Sequence, residues 1–199
     1  MSVRIYVEGG GDQRRTLDAC RLGFAQLFSK ICRAGNRPKV IPAGGRRAAF
    51  DDFCTALKTH PNDFVMLLVD SEGPVHAGTT PWSHLKNRPE DGWIRPPDVQ
   101  DSQAHLMVQC MEAWFLADRE ETAVYFGDGF LTSSLPGQPD VELVSKRDLL
   151  SALEHAVAAT QKAEYRKTRD AFALLARIDP QKIRTASKHA ERLFALLER

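Results

Sequence analysis

Val3-Arg4-Ile5-Tyr6-Val7 alternates apolar and polar side chains and then meets Glu8-Gly9-Gly10-Gly11-Asp12, which predicts a strand closed by a sharp turn. From Gln13 to Ala34 the apolar residues Leu17, Cys20, Phe24, Leu27, Phe28 and Ile31 recur at helical spacing. Gly35-Asn36 ends that helix, and Pro38 opens a short strand, Lys39-Val40-Ile41. Gly44-Gly45 leads into a second amphipathic helix with Phe50, Phe53, Cys54 and Leu57 on its inner face. After the turn Pro61-Asn62-Asp63, the uninterrupted apolar run Phe64–Val69 reads as a strand buried on both faces, as in a parallel sheet. Strand–helix–strand–helix–strand order with short connections predicts an α/β layered fold, a mainly parallel sheet with helices on both faces.

Gly73 to Gln103 is a long insertion carrying Pro74, Pro81, Pro89, Pro96 and Pro97, expected to hold little regular structure and to be functional. His105–Val108 is a fourth candidate strand, followed by a helix from Met111 through Phe126 and a loop from Gly127 to Val144. Helices over Lys146–Thr160, Tyr165–Ile178 and Pro180–Leu197 finish the chain, the last opened by the capping pair Asp179-Pro180. The expected organisation is an α/β domain over 1–126 and a helical extension over 127–199 packed on it.

The composition narrows the class. With 43% hydrophobic and 27% charged residues in 199, the chain is of ordinary globular make-up and long enough to fold without disulfides or a structural metal. Cys20, Cys32, Cys54 and Cys110 show no CxxC spacing, which argues against a zinc ribbon or a redox dithiol and for reduced thiols. No apolar run spans a membrane and no signal-peptide core follows Met1, so the expectation is a cytoplasmic protein. The net charge of +1 hides an asymmetry: Lys146 to Arg199 holds 12 Lys+Arg against 7 Asp+Glu, and the rest 15 against 19. A basic C-terminal third fits a polyanion or an acidic partner face, and fits a solvated helical surface equally well.

The informative chemistry sits at the strand ends. Glu8 follows the first strand with Asp12 one turn on, and Asp70 and Glu72 follow Phe64–Val69. Alternation along extended backbone lets Asp70 and Glu72 point the same way. In an open parallel sheet the carboxyl ends of the strands line one edge, where ligand crevices form. Carboxylates gathered there repel unless a cation sits between them, and an oxygen-only set suits Mg²⁺ or Mn²⁺. Acids after strands also serve as caps and turn residues, and a lone DxE has little specificity.

Val7-Glu8-Gly9 with an acid four positions after the glutamate, followed by Leu68-Val69-Asp70-Ser71-Glu72, resembles the Toprim superfamily of topoisomerases, primases and overcoming-lysogenization-defect nucleases. Met111-Glu112-Ala113-Trp114-Phe115-Leu116-Ala117-Asp118 is similar to a hallmark of its small stand-alone branch, of unknown function and often encoded beside ATPases in bacterial defence loci. The resemblance implies a Toprim/Rossmann-like sheet of four strands. It makes Glu8 a metal ligand or general acid/base, and Asp12, Asp70 and Glu72 further ligands for one or two Mg²⁺ or Mn²⁺ ions. Asp12 and Glu72 each replace one carboxylate of the family pattern by the other.

Glu112 either extends the acidic site or holds a buried arginine or a helix N-terminus, and the structural role is favoured; Trp114 reads as core and Asp118 as a cap or solvent residue. Gly9-Gly10-Gly11 matches neither the dinucleotide nor the phosphate-loop pattern. Arg14, Arg15, Arg46, Arg47 and Lys167 are candidate phosphate contacts that solvated surface positions explain as well. The expected function is a Mg²⁺-dependent nuclease acting on DNA or RNA, the effector of an ATPase-coupled defence system. The alternatives are a silent scaffold or regulatory subunit of an ATPase, and a metal-dependent phosphatase or phosphotransferase on a small phosphate ester. Near-neutral net charge points to a partner ATPase that supplies nucleic-acid affinity; self-association is left open.

Overall fold

The computed structural model describes residues 2–33 and 35–199. Strands β1 (Val3–Gly10), β2 (Lys39–Gly44), β3 (Phe64–Asp70) and β4 (Ala104–Met107) form one parallel sheet in the order β2-β1-β3-β4. The α/β expectation therefore holds. Helices α1 (Arg14–Ser29) and α2 (Arg46–Thr59) cover opposite faces. Ile5, Val7, Met66 and Leu68 pack with Phe24 and Leu27 of α1, while Tyr6, Val65, Leu67 and Val69 pack with Ala49 and Phe53 of α2. Neighbouring residues in β3 thus bury into different cores, which is why the run Phe64–Val69 is apolar without alternation.

The insertion after β3 is more ordered than its prolines suggest. Thr80 accepts a hydrogen bond from Ser83 N at 3.2 Å and Pro81 occupies the first turn of α3 (Pro81–Asn87). Trp82, Leu85 and Trp93 of this segment are buried in the α2-side core. The expected helix over Met111–Phe126 is two pieces, a 3₁₀ helix at Met111–Leu116 and α4 (Arg119–Phe126). Asp118, buried at the junction, caps Glu121 N at 3.3 Å and pairs with Lys182 at 2.8 Å. The end expected for the first helix, Ala34, lies outside the described residues; α1 stops at Ser29.

Beyond residue 126 come α5 (Lys146–Val157), a π-helical turn at Lys167–Ala171 running into α6 (Phe172–Leu175), α7 (Pro180–Ala186) and α8 (Lys188–Leu197). The helix expected over Pro180–Leu197 is split at Ser187, whose hydroxyl caps Ala190 N at 3.1 Å. These helices share the α1-side core with the sheet: Trp114 sits edge-on to Phe24 at 6.4 Å and to Phe194 at 5.8 Å between ring centroids. Trp114 is fully buried, as its helix pattern suggests. No helix among the described residues is long and apolar enough to cross a membrane.

The strand order fixes where a ligand crevice forms. From β1 the chain crosses outward to β2, and from β3 it moves the other way to β4. The direction reverses between β1 and β3, and crevices open outside the carboxyl ends of strands at such a reversal.

Candidate metal centre

Glu8 near the end of β1, Asp70 at the end of β3 and Glu72 just beyond meet at that reversal point, each offering one oxygen within 4.8 Å of the others. Asp70 N donates to Glu8 Oε2 at 3.2 Å, tying the two strand ends together. Asp70 Oδ1 in turn accepts from Met111 N at 2.8 Å. Ser71 N and Glu72 N donate to Met107 O and Gln109 O, both at 2.9 Å, so the β3–β4 pairing continues past the strands. Those bonds hold Glu72 at a left-handed φ of +62°, sparsely populated for a residue with a long side chain.

Three cations are built around the acids. Arg46, at the start of α2, donates to Glu8 Oε2 at 3.0 Å and to the Asp70 carbonyl, and is held by Asp91. Lys146, at the start of α5, grips both oxygens of Glu72 at 2.8 and 2.7 Å. Lys167 lies 3.2 Å from Glu112 Oε1, which also accepts from the Tyr165 hydroxyl at 3.2 Å. Glu112 is 1% exposed, and its second oxygen has no hydrogen-bond partner among the described residues.

The titration behaviour follows from this crowding. Burial raises the Glu8 carboxyl, Arg46 opposes it, and Glu72 adds to the rise. Burial likewise pushes Asp70 up to about 8 against the pull of Lys167, with Glu8 and Glu112 contributing in the same direction as burial. Burial pulls Lys167 down, but Glu112 and Asp70 together hold its ammonium above the usual lysine range. Carboxyls lifted by one another and by desolvation gain when a cation arrives.

Not every residue singled out in the sequence converges here. Asp12 is exposed and lies outside the acidic cluster, because Gly9, Gly10 and Gly11 all take positive φ and turn the chain off the axis of β1. Gly44 must be a glycine for that turn to sit down: a Cβ there would stand 2.6 Å from Gly11 O. Arg46 is not a free phosphate contact; its guanidinium is committed to Glu8, the Asp70 carbonyl and Asp91. Arg47 is exposed and paired with Asp51 at 3.0 Å, and Arg14 is exposed beside Asp18. Glu112 holds a lysine and a tyrosine instead of an arginine. Asp91 and Lys146 carry no local motif and were found only through the fold.

A cavity of about 290 Å³ is lined by Glu8, Asp70, Lys167, the Gly9–Gly11 turn, Phe24 and Phe172. Gly10, Gly11, Thr16 and Thr168 also line an open groove of about 620 Å³ that carries Arg15, Arg166 and Arg169. Ser71 and Glu72 border a separate cleft of about 370 Å³ with His76, His84 and Arg88. Glu8 and Asp70 therefore face the cavity that shares a wall with the arginine-bearing groove, while Glu72 borders the other cleft.

A family model described as "Domain of unknown function (DUF4276)" matches residues 7–198. No curated protein and no solved structure matches.

Proposed function

The chain belongs to the DUF4276 family, and we propose that it is a divalent-metal-dependent nuclease whose cation is held by Glu8, Asp70 and Glu72. The observation that carries this reading is the meeting of three carboxylates, one oxygen each within 4.8 Å, at the reversal point of the sheet. The residues fit a hard cation: the donors are all oxygen, and a further buried carboxylate oxygen, Glu112 Oε2, is left over. Bound there, Mg²⁺ or Mn²⁺ would act as a Lewis acid on a phosphoryl oxygen.

The chain's own groups prepare the rest. Arg46 keeps the Glu8 carboxylate aimed at Asp70 and stops the two strand ends from repelling apart. The Lys167 ammonium shares the cavity with Glu8 and Asp70, placed to balance negative charge building on a phosphate. The Gly9–Gly11 turn has no side chains, which allows a substrate backbone close approach. The cavity that holds Glu8, Asp70 and Lys167 shares Gly10, Gly11, Thr16 and Thr168 with the open groove bearing Arg15, Arg166 and Arg169, which suits a strand whose neighbouring phosphates lie along that groove. Near-neutral overall charge leaves most nucleic-acid affinity to a partner, for which we propose an ATPase.

One observation favours the scaffold reading: Glu8, Glu72 and Glu112 each already face an internal cation, in Arg46, Lys146 and Lys167. The deciding experiment incubates the full chain and Mn²⁺ with single- and double-stranded DNA and RNA, and with chromogenic phosphate diesters and monoesters. Diester and nucleic-acid cleavage that disappears in Asp70→Asn is the expected result. Monoester turnover instead would select the phosphatase, and absence of both Mn²⁺ binding and cleavage would select the scaffold.

A further inference from the structure

We infer that the centre takes a single divalent cation and that Lys167 fills the place of a second one, between Asp70 and Glu112. The inference rests on the reading that Glu8, Asp70 and Glu72 hold a cation, and it assigns a role to Lys167 and Glu112 toward that ion.

Lys167 is set in place by its turn. It opens the π-helical segment Lys167–Ala171, a conformation that recurs at functional sites. Asp170, fully buried, anchors the segment by accepting from Arg166 N at 2.8 Å, from the Tyr125 hydroxyl at 3.0 Å and from the Arg169 guanidinium. The Lys167 side chain is 49% exposed, yet its ammonium meets the 1%-exposed Glu112 and lines the cavity with Glu8 and Asp70. A lysine that only dressed the surface would extend away from these acids.

Glu112 is the second observation. A carboxylate so deeply buried normally has both oxygens satisfied, because a buried charge with an unpaired acceptor is costly. Here Oε1 takes Lys167 and Tyr165 while Oε2 has no partner among the described residues. Glu112 and Asp70 are also the two acids that act most strongly on the Lys167 ammonium. The lysine thus pairs with Glu112 and lines the same cavity as Asp70, so one ammonium stands among carboxylates of two different elements, where a second cation would otherwise be needed.

Charge counting decides between one ion and two. The carboxylates Glu8, Asp70, Glu72, Glu90, Asp91 and Glu112 share the site and its support with Arg46, Arg88, Lys146 and Lys167, which leaves two negative charges when all are ionised. One dication neutralises them. A second dication would leave two positive charges in a partly desolvated site, beside the Lys167 ammonium.

The test uses the full chain and Mn²⁺ alone, with stoichiometry from calorimetry and native mass spectrometry and ion pairing from electron paramagnetic resonance. Wild type and Lys167→Arg bind one ion. Lys167→Ala binds two, with Glu112 recruited, and the double variant Lys167→Ala/Glu112→Gln returns to one. Two ions in wild type, with the dipolar broadening of a Mn²⁺ pair, overturn the inference and leave the metal-centre reading standing; this measurement needs no variant to fold. Lys167→Ala that folds by circular dichroism and still binds one ion also overturns it. No Mn²⁺ bound by wild type removes the metal-centre reading itself, and this inference with it.

Discussion

Asp91 takes two hydrogen bonds from the Arg46 guanidinium, 2.8 Å from Nε and 2.5 Å from Nη2, and so fixes the arginine that fixes Glu8. The Asp91 carboxylate side chain is 3% exposed and also receives Arg88 at 2.9 Å. Trp93 lies under Arg46 at 5.1 Å and stacks on Phe50, with ring centroids 4.5 Å apart. The remaining arm of Arg46 goes to Glu8 and the Asp70 carbonyl. The proline-rich insertion therefore acts as the outer support of the acidic site. Outer partners of this kind typically cost about 10–100-fold in metal affinity or activity when removed.

The first prediction follows from that support. Asp91→Asn should weaken Mn²⁺ binding by about 10–100-fold while the chain stays folded, since packing of Trp82, Leu85 and Trp93 is untouched. Calorimetry beside circular dichroism checks it. Wild-type affinity in the variant would mean that Arg46 holds Glu8 without help.

The second prediction concerns the strain the acids impose on the metal-free chain. A carboxyl raised from 3.8 to about 8 keeps its proton in the folded state over a range where the unfolded state has lost it. The folded state then binds more protons, so the Asp70 contribution to stability falls as pH rises between those values. Asp70→Asn keeps an oxygen to accept from Met111 N and removes this slope. Melting curves from about pH 5 to about pH 9 should show the variant gaining on wild type toward the alkaline end, with Mn²⁺ binding lost. Parallel curves would show that Asp70 is not destabilised by its surroundings.

The strands and the acids were legible because each is announced by its immediate neighbours. Phe64–Val69 is apolar throughout and Val3–Val7 alternates, and Glu8, Asp70 and Glu72 stand where those runs stop. Asp12 looked equivalent in spacing, but three glycines in positive φ carry it away, and spacing alone does not report φ. Arg46 looked like an anion contact at a helix start because its true partner, Asp91, is 45 residues away in a segment whose prolines mask Trp82, Leu85 and Trp93 as core. The pattern over Pro180–Leu197 predicts one helix because nothing local marks Ser187 as a break, and only the fold turns its hydroxyl onto Ala190 N.

A third prediction tests the seating of the Lys167 turn. Gly23 lies inside α1, where alanine would normally be favoured by about 1 kcal/mol. Here a Cβ would stand 2.6 Å from Phe172 O and 3.1 Å from Phe172 Cα, backbone atoms that cannot swing aside. Gly23→Ala should instead destabilise the chain by about 1–3 kcal/mol, the usual range for overpacking. Because Phe172 lines the acidic cavity, Mn²⁺ affinity should fall with it. Denaturant titration measures the first effect and calorimetry the second; a stabilised variant would mean α6 is free to move off α1.

The last prediction concerns how α8 is locked to the sheet edge. His105 in β4 is 2% exposed. Arg192 from α8 can only donate, so its 3.2 Å contact makes His105 Nδ1 an acceptor, and Nε2–H donates to Ser102 O at 3.0 Å. The same arginine reaches Ala104 O at 2.7 Å and Asp101 O at 2.5 Å. Protonating the imidazole would set a cation against this guanidinium inside the protein. Burial, then Arg192, with a smaller push from His189, holds the His105 pKa down to about 3, from a reference of 6.5. Between those values the unfolded state binds a proton that the folded state refuses, so stability is full above about 6.5 and declines as pH falls. The slope contributed is about 1.4 kcal/mol per pH unit, opposite in sign to that of Asp70 over the same range, so it is read from about pH 6.5 to about pH 5 in the Asp70→Asn background, where the Asp70 slope is gone. His105→Gln should flatten that limb, and amide exchange should show β4 and α8 losing protection together in acidified wild type. With Asp70→Asn in place, a limb as flat before as after His105→Gln, or α8 exchanging while β4 stays protected, would break the link between this histidine and the docking of the C-terminal helix.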